Sequence, residues 1–418
     1  MEIQKGNLKS ILNTAVIIAA LGYFVDVYDL VLFLIIGKKS LLALGISEET
    51  KDKIFAYLLN VQMIGMLIGG LLWGILGDKK GRLSVLFGSI LVYSLANIAN
   101  GFVSELASLF HSDIITVYTV LRFVAGFGLA GELGAGVTLV SEVMSKENRG
   151  YGTMIVASVG VTGAVVAYLV GHYLGWEITY FVGGGLGLSL LFLRISVFES
   201  GMFKKLQDNN IRRGNFFELF KNSKIAFKYI NCILIGLPVW FVIGVLIAGA
   251  TKYAKLLNVS GAIDHEFCIM LCYTGLIFGD LFSGVLSQIL KSRKKVFYVF
   301  YILCAVLVLF YLNLYQASSF VFYSFIVALG FSVGFWAMFV TVASEQFGAN
   351  LRATTTTTVP NFVRGSLVPI SLLFDFIKVR SDIITAGYAV TAVTIGIAAI
   401  ALYNLQDTFG KELDYIEE

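Results

Sequence analysis

The sequence predicts an all-α membrane protein, with twelve transmembrane helices arranged in two pseudo-symmetric bundles of six. Composition is the first observation behind this prediction. Hydrophobic residues make up 57% of the 418 residues and charged residues only 14%, whereas soluble domains carry about 25% charged residues. A soluble chain of this length would need more charge to cover its surface, so we expect much of the surface to face lipid.

The second observation is a series of long apolar runs. A transmembrane helix needs about 20 mainly apolar residues, and twelve runs of roughly this length lie between charged or turn residues. They are numbered here as spans 1 to 12, at 12–36, 54–76, 83–102, 114–140, 150–171, 177–198, 229–251, 267–290, 296–313, 319–343, 354–377 and 384–405. Because Lys and Arg are concentrated in the segments on one side, we expect both termini in the cytoplasm. We also expect the chain to lie in a bacterial inner membrane.

A polar segment at 199–228 separates the first six spans from the last six and is rich in Lys and Arg. We therefore predict an N-terminal six-helix bundle over 1–198, a basic cytoplasmic linker over 199–228 and a C-terminal six-helix bundle over 229–418. The linker is too short for a soluble signalling domain, which argues against a sensor.

The two halves repeat local patterns. SEVMSKENRG begins at Ser141 and SEQFGANLRA at Ser344, and in each segment the glutamate precedes an arginine by seven residues. GILGDKKGR from Gly74 is likewise similar to GVLSQILKSR from Gly284. Transporters built from such repeats place the substrate site near the bilayer midplane, between the repeats.

These motifs resemble those of one family, the major facilitator superfamily. The segment 74–82 is similar to the loop between helices 2 and 3 of that family. Further similarity, to its metabolite:proton symporter and sugar-porter-like branches, lies in Tyr28-Asp29 of span 1, in Arg122–Gly126 and Gly131-Glu132 of span 4, and in Glu142 and Arg149-Gly150 of the following loop. The resemblance implies the major facilitator fold, alternating access and transport coupled to protons.

Two departures from the family pattern bear on the direction of transport. Gln288 stands in the second copy of the loop motif where Asp78 stands in the first. The glycine–proline signature of drug antiporters is missing from span 5, where the segment 158–164 contains no proline. The second departure favours symport over antiport.

Acidic residues inside the spans are the candidates for proton coupling, because ionisable groups in a membrane are costly and tend to be paired or functional. Asp26 and Asp29 are three residues apart and share one face of the first helix. Two buried carboxylates repel each other, so at least one is expected to exchange a proton near neutral pH. Asp29 is favoured because it matches the family position, and Glu132 is a further candidate. The alternative for each is a purely structural pairing.

Two arginines inside the spans are the candidates for substrate binding. Arg122 is expected to pair with an ionised Asp29 and to be freed for an anionic substrate when a proton arrives. Arg364, beside Asn361, either binds the far end of such a substrate or pairs with Asp280 or Glu345. Asp280 itself either takes part in coupling or forms a structural pair. Tyr28 and Trp336 complete the predicted binding set.

The loop motifs predict a cytoplasmic gate. Gly81 permits a tight turn between helices, and Asp78 is expected to cap a neighbouring helix or to pair with a basic residue. A solvated loop is the alternative. The predicted gating residues are Asp78, Gly81, Arg82, Glu142, Arg149, Glu345 and Arg352.

Two patterns are misleading. Gly126, Gly128 and Gly131 fit the GxGxxG dinucleotide fingerprint, but that motif requires a preceding strand; inside an apolar helix, close packing through small residues explains it better. Cys268 and Cys272 are four residues apart, a spacing that can bind a metal ion, but the sequence offers no further ligands to complete such a site. We predict no metal site, no cofactor other than the coupling proton, and no catalytic residues.

The sequence therefore predicts a secondary active transporter that imports a small polar or anionic metabolite, such as an organic acid or amino acid, in symport with protons. The alternatives are a proton-driven exporter of a siderophore or drug-like compound, and a sugar or osmolyte symporter. An enzyme is disfavoured because the three histidines lack partners at useful spacing. The expected partners are the small-molecule substrate and membrane lipid, without nucleic acid, and the chain is expected to be a monomer.

Overall fold

The computed structural model describes residues 14–80, 82–132, 149–199, 216–411 and 417. In the first half, the described helices follow the six apolar runs. They are α1 (Thr14–Ala43), α2 (Glu48–Lys80), α3 (Arg82–Gly101), α4 (Val103–Leu109), α5 (Ile114–Leu129), α6 (Arg149–Tyr173) and α7 (Trp176–Glu199).

The second half starts with a short 3₁₀ helix at Phe216–Phe220 and continues with helices that are more often broken. They are α8 (Ser223–Leu234), α9 (Leu237–Phe241), a π-helix (Val242–Ile247), α10 (Ala250–Leu256), α11 (His265–Leu290), α12 (Arg293–Tyr311), α13 (Ser319–Ser332), α14 (Trp336–Glu345), α15 (Ala349–Gly365), α16 (Leu367–Arg380) and α17 (Ile383–Asn404).

These helices confirm the predicted fold class. Among the described residues, nine helical segments are long and apolar enough to cross a membrane, and a tenth arises if α3 and α4, bent by 82°, count as one span. Span 4 contains the shorter α5, and span 11 is divided between α15 and α16. Large apolar side chains point outward, as lipid contact requires: Phe192, Ile302 and Ile400 are 66–70% exposed. The side on which the termini lie and the boundaries of the two bundles stay predictions.

Equivalent helices pack alike in the two halves. Spans 2 and 4 meet as α2 and α5, and spans 8 and 10 meet as α11 and α13. The main contacts between the halves are equally symmetric, since α2 packs against α15 and α6 packs against α11. This pairing of span 2 with 11 and span 5 with 8 is what a duplicated six-helix unit produces.

The breaks in the second half fall along its membrane-crossing segments. Span 7 changes from α9 to a π-helix at Val242, a feature often found at functional sites. Span 10 is interrupted between Ser332 and Trp336, and span 11 changes helix at Ser366. Broken helices in transporters border the substrate cavity, where freed backbone groups are not exposed to lipid.

The glycines of the GxGxxG sequence serve close helix packing, as predicted. A Cβ atom on Gly126 would collide with the backbone carbonyl of Gln62 in α2, and one on Gly128 would lie 2.7 Å from the Cβ of Tyr93 in α3. Because neither contact leaves room for a side chain, the motif brings three helices together and binds no nucleotide phosphate.

This packing predicts that Gly126→Ala destabilises the protein by about 1–3 kcal/mol, the usual cost of overpacking. The measurement is the thermal unfolding midpoint in detergent. Gly185→Ala is the matched control, because a Cβ there meets nothing within 4 Å. Equal midpoints for the two variants would contradict the packing role.

Candidate functional site

A small cavity of about 20 Å³, enough for about one water molecule, lies between the two halves. Tyr23, Val27 and Leu30 of α1 and Val161 of α6 line it from the first half. The second half contributes its broken spans and α11: Val239, Trp240, Ile243, Tyr273, Leu276, Trp336 and Arg364. The cavity is thus aromatic and aliphatic with one guanidinium group, a lining suited to a small apolar ligand that carries an anionic group.

An ion pair across the two halves borders this cavity. Nη2 of Arg364 in α15 lies 3.2 Å from Oδ2 of Asp26 in α1, and both side chains are fully buried. Within the described residues, Oδ1 of Asp26 and Nε and Nη1 of Arg364 have no hydrogen-bond partner. The Arg364 guanidinium also lies 5.7 Å from the ring centre of Trp336. The pair therefore joins the halves while using only part of the hydrogen-bonding capacity of the arginine.

Asp29 is buried and has no hydrogen-bond partner for either carboxylate oxygen among the described residues. The expected hydrogen-bonded pair between Asp29 and Arg122 is wrong. Arg122 instead donates to the amide oxygens of Asn100 at 3.2 Å, Asn97 at 3.2 Å and Gln62 at 3.5 Å.

Aromatic rings hold Arg122 further in place. Its guanidinium lies 5.3 Å from the ring centre of Phe33 and 5.0 Å from that of Tyr180, which is favourable cation–π geometry. Sequence reasoning missed this arrangement, although the signal was available: Gln62, Asn97 and Asn100 are amides within predicted spans, where polar side chains are uncommon.

Glu132 forms a two-point ion pair with Arg194 of α7. Nη1 of Arg194 lies 2.9 Å from Oε2 of Glu132, and Nη2 contacts Oε1. A Cβ on Gly22 of α1 would collide with both side chains, so this glycine makes room for the pair. Two roles were left open for Glu132, proton coupling and structural pairing, and the structure supplies a partner for structural pairing. Asp26 and Asp29 remain as acids with unpartnered oxygens among the residues described.

Asn361 and Tyr28 contact backbone rather than the cavity. Asn361 donates to the carbonyl of Ala130 at 2.7 Å, a contact between α15 and the end of α5, and Tyr28 donates to the carbonyl of Thr179 at 3.0 Å. Trp336, in contrast, does line the cavity, so it is brought together with Arg364 as the sequence predicted.

Most of the predicted gate lies outside the described residues. Gly81 and Glu142 are not described, nor are the side chains of Asp78, Arg82 and Arg149. The gate residues of the second half are described. Arg352 donates to the carbonyl of Phe347 at 3.4 Å.

Glu345 pairs with an arginine that was not among the predicted gate residues. Arg293 lies 3.1 Å from Glu345, and Thr408 donates to the same carboxylate at 2.7 Å. Arg293 ends the second copy of the loop motif, which is one residue longer than the first, just as Arg82 ends the first copy. The repeat thus contained the signal for this contact.

A second set of ion pairs links the halves at the opposite end of the molecule, the predicted outer face. Asp52 of α2 lies 3.2 Å from Lys38 of α1 and 3.1 Å from Lys252 of α10. Lys39 lies 3.7 Å from Glu266 of α11. These pairs join α1 and α2 to the second half, so they hold that end closed and must separate when it opens.

Asp52→Asn should therefore favour outward opening, by about 1 kcal/mol or roughly fivefold in population. The measurement is the labelling rate of a cysteine at Val239, introduced with the four native cysteines replaced, by a maleimide that cannot cross the membrane. Asp375→Asn is the control, because Asp375 pairs with Lys378 of its own helix. An unchanged rate in the Asp52 variant would exclude a locking role for this cluster.

Comparisons with known proteins agree with this architecture. The family model described as Major Facilitator Superfamily matches residues 12–370. The chain is 24% identical over 408 residues to a putative niacin/nicotinamide transporter of Bacillus subtilis (strain 168), covering 96% of each chain. It is 34% identical over 132 residues to a niacin transporter of Acinetobacter baylyi, covering 31% of this chain and 28% of that protein.

Solved structures show the same fold. The structure of a proton:xylose symporter bound to 6-bromo-6-deoxy-D-glucose superposes with a TM-score of 0.71 at 15% identity, covering 96% of this chain and 97% of that one.

Proposed function

Because the chain belongs to the Major Facilitator Superfamily, it is a multi-pass membrane transporter and not an enzyme, and we propose that it imports a small aromatic carboxylate in symport with a proton. The observation that carries this proposal is the incompletely bonded Asp26–Arg364 pair beside an aromatic cavity. We further propose the bacterial inner membrane as its location, with both termini in the cytoplasm, a monomeric state and no cofactor besides the proton.

The substrate class follows from the chemistry of the cavity. A carboxylate can take up the free N–H groups at Nε and Nη1 of Arg364, because a guanidinium offers carboxylates a bidentate fork. A planar ring can pack against Trp240, Trp336 and Tyr273 when the halves move apart, because the cavity as it stands holds only about one water molecule. Relatives point to the same chemistry: two carry niacin in their names, and a protein of Acinetobacter baylyi, 26% identical over 210 residues, is a benzoate transport protein. Niacin and benzoate share an aromatic ring that bears a carboxylate.

Coupling follows from competition for Arg364. While Asp26 is ionised, it neutralises the guanidinium, and a substrate carboxylate would add a second negative charge to a dry site. When Asp26 takes up a proton, its attraction to Arg364 falls, and the substrate carboxylate replaces it. A proton and an anion then enter together, so the loaded cavity has the same net charge as the empty one. Asp29, close by and without hydrogen-bond partners among the described residues, is proposed as the acid that passes the proton on.

Binding of niacin and benzoate should fall about 10- to 100-fold in Arg364→Gln, since a hydrogen-bonded charge contact contributes about 1.5–3 kcal/mol. Isothermal titration of the purified protein measures this. The double variant Asp26→Asn with Arg364→Gln removes the stranded carboxylate and should show the same loss. Nicotinamide and benzamide serve as ligand controls. Because they lack the carboxylate, the substitutions should not change their binding.

Arg380→Gln is the matched protein control, because Arg380 is exposed and donates to the carbonyl of Phe376 in its own helix. Wild-type affinity for both carboxylates in the double variant would overturn the proposal. Efflux from preloaded vesicles without any uptake would instead favour the exporter alternative.

Asp29→Asn should abolish accumulation of the carboxylate against its gradient but leave exchange across the membrane partly intact, because the amide cannot release a proton. Uptake into vesicles with an imposed pH gradient gives the first quantity, and exchange of labelled for unlabelled substrate gives the second. Asp375→Asn again serves as the control. Normal accumulation in the Asp29 variant would remove this residue from the coupling mechanism.

A further inference from the structure

Span 10 is broken where it crosses α11. The residues between α13 and α14 are Val333, Gly334 and Phe335. A Cβ on Gly334 would lie only 2.6 Å from the carbonyl carbon of Gly279 and 2.7 Å from the backbone nitrogen of Asp280. The break therefore rests directly on the backbone of α11, with no side chain between them.

Asp280 supplies the cap that the broken helix lacks. Phe335, at the N-cap position of α14, makes no side-chain capping bond. Oδ1 of Asp280 accepts instead from the backbone N–H of Ala337 at 3.0 Å. A carboxyl oxygen at this position satisfies one of the free N–H groups of the helix start, and it can do so whether or not the other oxygen carries a proton.

The other oxygen of this carboxyl group is unsatisfied. Oδ2 of Asp280 has no hydrogen-bond partner among the described residues, and the side chain is only 1% exposed. No ion pair to Asp280 occurs in that part of the chain either. A dry, unpaired carboxylate oxygen is unfavourable, so the contact suits a carboxyl group that carries a proton.

Among the described residues, no positively charged group on the helices around α11 forms an ion pair with Asp280. Tyr23 and Tyr273 line the same cavity, and Arg364 is already paired with Asp26. The other titratable groups on the helices packed around α11 are Tyr28, Asp29, Lys38 and Lys39 of α1, Arg149, Tyr151, Tyr168, His172 and Tyr173 of α6, Lys252, Tyr253 and Lys255 of α10, Arg293, Lys294, Lys295, Tyr298, Tyr301, Cys304 and Tyr311 of α12, Tyr323 of α13, and Glu345 at the far end of α14. Water reaching Oδ2 is thus the simplest way to stabilise the ionised form.

The capped helix connects two places that matter for transport. Its first residue, Trp336, lines the cavity and lies over Arg364. Its last residue, Glu345, pairs with Arg293 and Thr408 at the predicted cytoplasmic end. The ten residues of α14 span about 15 Å as one rigid element, so a movement at its start reaches the gate at its end.

We propose that Asp280 is a second proton-binding carboxyl, separate from the aspartates of α1, and that its ionisation opens the break in span 10 and moves α14. In the protonated state, the neutral carboxyl tolerates the dry contact and the break stays closed. On ionisation, the proton passes to water that enters the break, and Trp336 moves away from Arg364. That movement would release a carboxylate bound at Arg364, and only this consequence rests on the proposed function.

The test measures opening of the break without any substrate. A cysteine is introduced at the buried Val333 in a chain whose four native cysteines are replaced, and its labelling by a small thiosulfonate is followed from pH 5.5 to 8. The same cysteine is placed in Asp280→Asn, which keeps the capping oxygen but cannot ionise. Because ionisation of the introduced thiol affects both labelling rates equally, the ratio of the two rates isolates the effect of Asp280.

The labelling rate of the chain that retains Asp280, divided by the rate of the Asp280→Asn variant, should rise from about one at low pH to about tenfold at high pH, within the usual range of coupling between sites. Asp280→Glu, which retains an ionisable group, should keep the pH dependence, and it covers the case in which Asp280→Asn does not fold. Two results would overturn the inference. One is a ratio that does not change with pH. The other is a labelling rate that, in both acidic forms, does not change with pH relative to the rate at an exposed cysteine placed at Val379. Because no substrate is present, this result is independent of whether aromatic carboxylates are transported.

Discussion

The buried ion pair between Asp26 and Arg364 is the interaction on which the central site depends. It joins α1 to α15 across the two halves, and both charges are out of contact with solvent. Removing two charges from water is expensive, and their attraction offsets the cost only when the remaining donors and acceptors are satisfied. Among the described residues, two nitrogens and one carboxylate oxygen of this pair are not. The pair therefore joins the halves without using its full hydrogen-bonding capacity, and the proposed exchange with a proton and an anion depends on this.

The two halves contribute differently to the cavity. In the described part of the first half, Arg122 lies on the unbroken α5 among three amides, and Arg194 of the unbroken α7 pairs with Glu132. The second half lines the cavity with broken spans, which supply Trp240 and Trp336. Charges on unbroken helices on one side and aromatic side chains on broken spans on the other suit the proposed site between two repeats.

Charge clusters at both ends complete this arrangement. At the predicted outer end, Asp52 bridges Lys38 and Lys252 across the halves. At the opposite end, Asp407 accepts from Ser292 and from the backbone N–H of Arg293. Burial tends to raise the pKa of Asp407, but these hydrogen bonds lower it overall, so this carboxylate stays charged and fixes the end of α17 to the start of α12. The outer cluster thus crosses the halves, whereas this inner contact lies within one half.

Much of the fold was decided by the sequence alone. The hydrophobic runs determined where helices cross the membrane, because backbone groups in lipid must be satisfied within each segment, and the repeats placed the site between two bundles. The sequence also singled out the ionisable residues, since few are tolerated in a span. Only the tertiary structure decided which acid meets which base. Asp29 was expected to pair with Arg122, yet Arg122 is held by Gln62, Asn97 and Asn100. Arg364 reaches Asp26, 338 positions away in the chain. A span's composition reveals that it is buried but not its rotation or neighbours, and those set the partners of every buried charge.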